Sequence, residues 1–360
     1  MGPGSGALAS PSLRLGSIGR ARRRPLILAA AGAIALVVAL VLGVGLGTVA
    51  ISPLDTLAIL AHRLVGLDLG RTWTPAMETI VWDLRLPRVL TSMVVGVGLA
   101  VSGATFQGLL RNPLADPYVL GTASGAALGA AIAVVIPIRA TFLGFGLIHA
   151  LAFVGALAAV FTVYRLSRIG GLSPLTSLLL TGYAVGSLLA AGLAMAMYLS
   201  GAALRQIFSY LLGGFDTAAW SQLGAAATLV AAGSVLILLR ARTLNGLLLG
   251  EEAAVHLGVN VGRERAILLA LASLVTAAAV AVSGLIGFVG LVVPHIARLT
   301  WGHRHRSLLP AAFIGGGALL AIADTLARTV VAPRELPVGV VTALIGVPVF
   351  AFLLKRWTIA

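Results

Sequence analysis

Long charge-free apolar runs alternate along this chain with short segments that hold most of its ionisable residues. A bilayer core about 30 Å thick takes roughly 20 residues of helix, and every backbone N–H and C=O inside it must be paired within the segment. Runs near that length lie at Leu26–Ala50, Leu86–Leu110, Pro117–Pro137, Phe142–Tyr164, Pro174–Leu199, Ala219–Leu239, Ala266–Ser283, Leu285–Leu299, Leu308–Val331 and Leu336–Leu354. The pattern predicts an all-α, polytopic membrane protein with about ten transmembrane helices. Arg20, Arg22, Arg23 and Arg24 precede the first run as in an export signal, but the run is too long for one and reads as an uncleaved helix.

One stretch is ambiguous: no charge lies between Arg265, next to Glu264, and Arg298, so it reads as one long helix or two short ones. Ser283-Gly284, Gly287, Gly290 and Pro294 favour a break. Charge asymmetry decides in the same direction, because short cytoplasmic loops collect Lys and Arg. With ten spans and both termini inside, Arg63, Arg71, Arg85, Arg88, Arg139, Arg205, Arg328 and Arg334 stay outside, leaving 17 of the 25 basic residues inside. Nine spans would give 14 against 11. The expected organisation is a cytoplasmic tail over residues 1–24, one transmembrane domain over 25–356 with a polar loop near 241–262, and a cytoplasmic tail over 357–360. Ala100-Val101-Ser102-Gly103 echoes Ala281-Val282-Ser283-Gly284, each ten residues before a proline, and an inverted internal repeat would place such copies five spans apart.

Composition agrees with this class: 59% of residues are hydrophobic and only 10% charged, against about a quarter charged in soluble domains. Cysteine is absent, which removes disulfides and thiolate chemistry. Of the eleven acidic residues only Asp324 sits well inside a span, where Arg328 one turn later is its expected partner. One intramembrane carboxylate is thin support for an ion-coupled carrier, and no polar ring suggests a channel. A phosphate-binding Walker loop needs a lysine, and the chain's only lysine is Lys355, so this polypeptide is not expected to be an ATPase. His303 and His305 read as a solvated loop beside Arg304 and Arg306, and His149 and His295 as packing residues; no metal-binding spacing occurs. Gly43 and Gly47, then Gly121, Gly125 and Gly129, then Gly182 and Gly186 are spaced for close helix contact.

Three motifs are more particular. Arg85-Leu86-Pro87-Arg88 leads to Gly103, Gln107 and Gly108, then to Arg111-Asn112-Pro113-Leu114-Ala115-Asp116-Pro117. Leu249-Gly250-Glu251-Glu252-Ala253-Ala254 continues through Leu257-Gly258-Val259. Gly287-Phe288-Val289-Gly290 reaches Pro294-His295 and Arg298, followed by Ala323-Asp324, Ala327-Arg328, Glu335-Leu336-Pro337-Val338-Gly339 and Gly346-Val347-Pro348. In this order, over roughly residues 30 to 355, they resemble the FecCD-type permease family of type II ABC importers, which carry iron-siderophores, haem or cobalamin.

The resemblance implies a bacterial cytoplasmic-membrane permease that imports a chelate, with iron-siderophore as the expected cargo and cobalamin or haem as alternatives. Implied partners are a second permease copy or a paralogue, two ATPase subunits and a periplasmic or lipid-anchored binding protein. No cofactor is expected in this chain, since ATP and Mg would sit on the ATPase subunits. By the same resemblance Leu247, Leu249, Gly250, Glu251, Glu252, Ala253, Ala254, Leu257 and Gly258 belong to an amphipathic coupling helix that meets the ATPase. Arg85, Arg88 and Arg328 match positions that pair with binding-protein glutamates, a role suited to the guanidinium fork. Leu175, Thr176 and Ser177 fall near the cytoplasmic gate. Arg111, Asn112, Pro113, Asp116, Pro117, Gly290, Pro294, His295, Asp324, Pro337 and Gly339 are the remaining motif residues, expected to be structural.

Overall fold

A computed structural model describes residues 15–47, 49–67, 72–136, 141–142, 145–169 and 174–357. Arg71 and Arg139 lie outside the described residues. In chain order the helices are α1 (Leu15–Gly45), α2 (Pro53–Val65), α3 (Pro75–Thr79), α4 (Leu86–Leu109), α5 (Thr122–Val135), α6 (Leu147–Leu166), α7 (Pro174–Leu199) and α8 (Leu204–Leu212). There follow α9 (Trp220–Leu239), α10 (Ala241–Leu248), α11 (Glu251–His256), α12 (Val261–Ser283), α13 (Val289–Trp301), α14 (His305–Thr329) and α15 (Val338–Trp357). Two short antiparallel strands, β1 (Thr141–Phe142) and β2 (Phe145–Gly146), precede α6.

Each of the ten expected spans coincides with one helix: α1, α4, α5, α6, α7, α9, α12, α13, α14 and α15. Among the described residues seven helical stretches are long and apolar enough to cross a membrane; α5, α13 and α15 are shorter or less apolar. The ambiguous stretch is indeed two helices. Gly284 ends α12 at φ 66°, and Phe288 starts α13 at φ 69°. α1 begins at Leu15, so helix runs back into the expected 1–24 tail.

Helix α4 is the axis of the bundle. It is buried along nearly its whole length and packs against α14, α12, α9 and α13. Its hydroxyl side chains close on their own helix: Thr91 Oγ1 donates to the Pro87 carbonyl, Ser102 Oγ to Gly98 and Thr105 Oγ1 to Val101. No polar group need then seek a partner in lipid. Gly103 allows α4 to meet α13, since a Cβ there would lie 2.0 Å from the Gly290 carbonyl oxygen. Small residues thus do what the hydrophobic effect cannot inside a bilayer, bringing backbones into van der Waals contact. The tetrapeptide echo lies in unlike settings: Gly103 is inside α4, whereas Gly284 terminates α12.

The periphery is apolar and open. α7 exposes Tyr183, Leu188 and Tyr198, each more than 70% accessible, and α1 exposes Ile34, Val37 and Leu42. Such surfaces suit acyl chains or another apolar chain rather than water.

Candidate functional site: polar clusters at the two ends of the bundle

The first cluster forms where α1 ends. The last carbonyls of a helix have no intrahelical partner, and here two arginines supply the donors. Arg85 reaches the carbonyls of Val44 (3.2 Å), Gly45 (3.0 Å) and Val49. Arg328 reaches those of Gly43 (2.8 Å) and Leu46 (3.1 Å). A cation at a helix C-terminus also offsets the negative end of the helix dipole.

Local sequence explains how Arg85 gets there. Pro87 lacks an N–H and weakens the ordinary helical ladder at its own turn. Residues Ile80–Arg85 accordingly take a wider π turn, with the Leu86 N–H bonding Val81 five residues back. Arg85 is thereby turned inward toward α1, and Arg88, one turn on, toward α14. Arg88 binds Asp324 (3.0 Å) and Glu335 (2.8 Å), and Arg328 binds the other oxygen of Asp324 (3.0 Å). Asp324 is fully buried, and its two oxygens are divided between two guanidinium groups. The predicted Asp324–Arg328 pair is therefore present, and Arg88 joins it.

This geometry changes how the three arginines are described. Arg85 and Arg328 are buried at 6% and 3% exposure, with donors engaged inside the chain. Arg88 retains some access, beside a Glu335 whose side chain is 38% exposed.

The second cluster lies at the other end of α14, on the face predicted to be cytoplasmic. Here the segment expected as one amphipathic helix is two. α10 ends at Leu248, Gly250 turns the chain at φ 111°, and α11 begins at Glu251. Only a residue without Cβ enters that conformation readily, so the motif's glycine is the corner of a helical hairpin. Leu244, Leu247 and Ala254 point inward and are buried. Leu249, Val255 and Leu257 point outward, at 69%, 59% and 64% exposure, and Glu252 is also exposed. Glu251 is tied to Arg265 and lies 4.0 Å from Arg111. Ala253 is half-buried, and Gly258 ends the hairpin at φ 80°.

The Arg111–Pro117 motif supports this hairpin from beneath. Arg111 adopts φ 48° just beyond α4, and Asn112 then folds the chain by accepting the Leu114 N–H on Oδ1 (2.9 Å). Asp116 accepts the Tyr118 N–H (2.8 Å), although burial holds its carboxyl above the ordinary range. Gln107 donates to the carbonyls of Ala115 and Gly290 and accepts from Arg298. Pro113 lies in this turn, Pro117 packs on Gly290, and Pro294 and His295 fall inside α13. Pro337 starts α15 by accepting the Val340 N–H, and Gly339 lies close to the Leu212 carbonyl.

His305 departs from expectation. It is 2% exposed rather than solvated, because its N–H and its Nδ1 both meet Asn245 Oδ1, at 3.0 and 2.8 Å. Of the gate residues, Ser177 is buried and donates to the Ser167 carbonyl (2.7 Å), Leu175 is half-buried and Thr176 is exposed. Among the described residues no group of three His, Cys, Asp or Glu could hold a metal. Asn245 carries no local signal of a role, its partner lying 60 residues away; Glu335 stands in a motif, but its partner Arg88 lies 247 residues away.

A bundle with this order of helices and motifs matches the FecCD transport family over residues 35–356. The chain belongs to the FecCD transport family. Members of the family are membrane permease subunits of ABC importers and not themselves enzymes. It is thus a multi-span inner-membrane protein. Relatives include the cobalamin import system permease BtuC of Halobacterium salinarum, 46% identical over 77% of this chain and 74% of that one. The hemin transport system permease HmuU of Yersinia pestis is 46% identical over 81% of this chain and 89% of its own. Among solved structures, an ABC transporter assigned to the metal-chelate type, in an inward-facing conformation, superposes with a TM-score of 0.76 at 31% identity. That match covers 92% of this chain and 99% of that one.

Proposed function

We propose that this permease moves a large metal chelate into the cytoplasm by alternating access, driven by two separate ATPase subunits and supplied by a substrate-binding protein. The observation that carries the reading is the α10–α11 hairpin. It presents Leu249, Val255 and Leu257 to solvent beside Glu252 while rooting itself in the bundle through Leu244 and Leu247. An apolar patch outside the bilayer is stable only when another protein covers it, and an ATPase groove is the occupant this family provides. Energy must come from outside the chain, since its only lysine is Lys355. ATP and Mg then belong to the partner.

The N- and C-termini are cytoplasmic in this reading, which places the arginine cluster outside. Arg88 is its most accessible member, and we assign it the contact with carboxylates of the binding protein, in exchange for Glu335. Arg85 and Arg328 contribute by holding the end of α1 in place. Arg88→Gln is expected to lower uptake about tenfold, the scale of one charge-assisted contact of about 1.4 kcal/mol. The amount of permease in the membrane should fall much less, and equal losses in both would remove the docking role. Leu175, Thr176 and Ser177, where α7 begins, are assigned to the inner gate. The exposed side of α7 is assigned to a second copy or a paralogue lining a shared path.

An iron-siderophore is the cargo proposed first. Two relatives at 46% identity are named for cobalamin and hemin, which favours a metal-bearing macrocycle as the second reading. Proteoliposomes holding the permease, its ATPase and its binding protein should take up one of ferric siderophore, hemin or cobalamin only with internal or external ATP on the ATPase side. Uptake driven by an ion gradient without ATPase would overturn the importer reading.

A further inference from the structure

Helix α14, like α4 beside it, runs from one polar cluster to the other. At its start, the His305 N–H and Nδ1 both converge on Asn245 Oδ1 in α10. The amide oxygen accepts the His305 backbone N–H and lies against the ring Nδ1, so both contacts tie α14 to the hairpin. The ring's other nitrogen faces Gly108 of α4, where a Cβ would lie 2.8 Å away. At the far end Asp324 and Arg328 fasten α14 to α4 through Arg88 and to the end of α1 through the Gly43 and Leu46 carbonyls.

Between the ends lies a crossing without side chains. A Cβ on Gly96 of α4 would sit 2.1 Å from the Gly316 carbonyl oxygen, and one on Gly316 would sit 2.2 Å from that of Gly96. The neighbouring glycines Gly315 and Gly317 face Val293 of α13 and Leu36 of α1, and α14 stays helical through them and past Pro310, although glycine is a weak helix former. At about 1.5 Å per residue the crossing lies roughly 16 Å from His305 and roughly 12 Å from Asp324.

We propose that α14 is a lever: Asn245 couples the ATPase-facing hairpin to His305, the Gly96–Gly316 crossing is the fulcrum, and the Asp324–Arg328 end moves the arginine cluster. Asn245 is then a positioning residue. Movement of the hairpin when nucleotide closes the ATPase displaces His305, and the opposite end of α14 shifts together with the end of α1 and Arg88. Loosening of the binding-protein contact is thereby tied to the nucleotide state, because a two-state coupling needs one element whose position both sites bias. The lever rests on the importer reading above.

The full transporter, reconstituted with its ATPase, tests it. The chain has no cysteine, so Arg334→Cys, in the exposed turn after α14, gives a single site for a membrane-impermeant maleimide. With Asn245 intact, the labelling rate is expected to change severalfold between nucleotide-free and ATP-vanadate states. Asn245→Leu should abolish the change while ATPase subunits still co-purify, and Asn245→Asp, which keeps the acceptor oxygen, should restore it. If Asn245→Leu fails to assemble, Asn245→Ala takes its place in the comparison with Asn245→Asp. A nucleotide-dependent change that persists without the acceptor, or that is absent in the Arg334→Cys chain with Asn245 intact, overturns the lever. ATP-driven uptake by the Arg334→Cys chain separates the two failures: lost uptake counts against the importer reading, and retained uptake with insensitive labelling counts only against the lever.

Discussion

Replacing Asp324 with leucine is expected to lower stability by about 3–5 kcal/mol, the scale for removing one partner of a buried ion pair. Asp324 has no solvent access and receives Arg88 and Arg328, one on each oxygen. Without it two cations face each other in a low-dielectric site. Arg88 keeps Glu335, but Arg328 is 3% exposed and would keep only the carbonyls of Gly43 and Leu46. The unfolding midpoint in detergent should fall clearly, with the end of α1 the first part to open. Adding Arg328→Met removes the stranded charge and should recover part of the loss, since replacing both members of a buried pair by apolar groups is far milder than breaking it. An unchanged midpoint for Asp324→Leu would mean that water already reaches the cluster.

The second large effect is functional. Leu249→Asp together with Leu257→Asp is expected to lower ATPase affinity by at least about a hundredfold. Burying each leucine contributes about 1.5–3 kcal/mol, and each 1.4 kcal/mol is a factor of ten. Both side chains are more than 60% exposed, so the permease alone should keep its unfolding midpoint. Glu252→Arg gives a milder version. Glu251 is less suitable for the test, because its bonds to Arg265 and Arg111 are internal to the chain. Co-purification of ATPase subunits with the double variant at the ordinary ratio would exclude the hairpin as the contact.

Much of this was legible without coordinates, for a physical reason. Lipid offers backbone groups no partner, so each span must be a helix and hydropathy length alone locates it. The charge imbalance that favoured ten spans over nine separated α12 from α13, where Gly284 and Phe288 both take positive φ. The Asp324–Arg328 pair was legible because it is a local, one-turn contact.

Polar residues outside helical register were less legible. His305 stands among Arg304, Arg306 and His303 and reads as solvated, yet Asn245, 60 residues earlier, draws it into the bundle. The coupling segment reads as one helix, because amphipathic spacing passes through Gly250 without registering its backbone angle. Sequence shows the charge of the arginines and cannot show the carbonyls of α1 that Arg85 and Arg328 meet.

The sequence by itself determined the membrane class and the order of helices, which follow from run length and charge placement, and it carried the family motifs. Only the tertiary structure decided what each polar group touches. It turned three outward charges into a cap on α1 and a shared grip on Asp324, and joined that grip through α14 to the hairpin at the opposite face. The reason is that ion pairs and amide contacts within a bundle form across tens to hundreds of residues, where a single sequence carries no spacing rule.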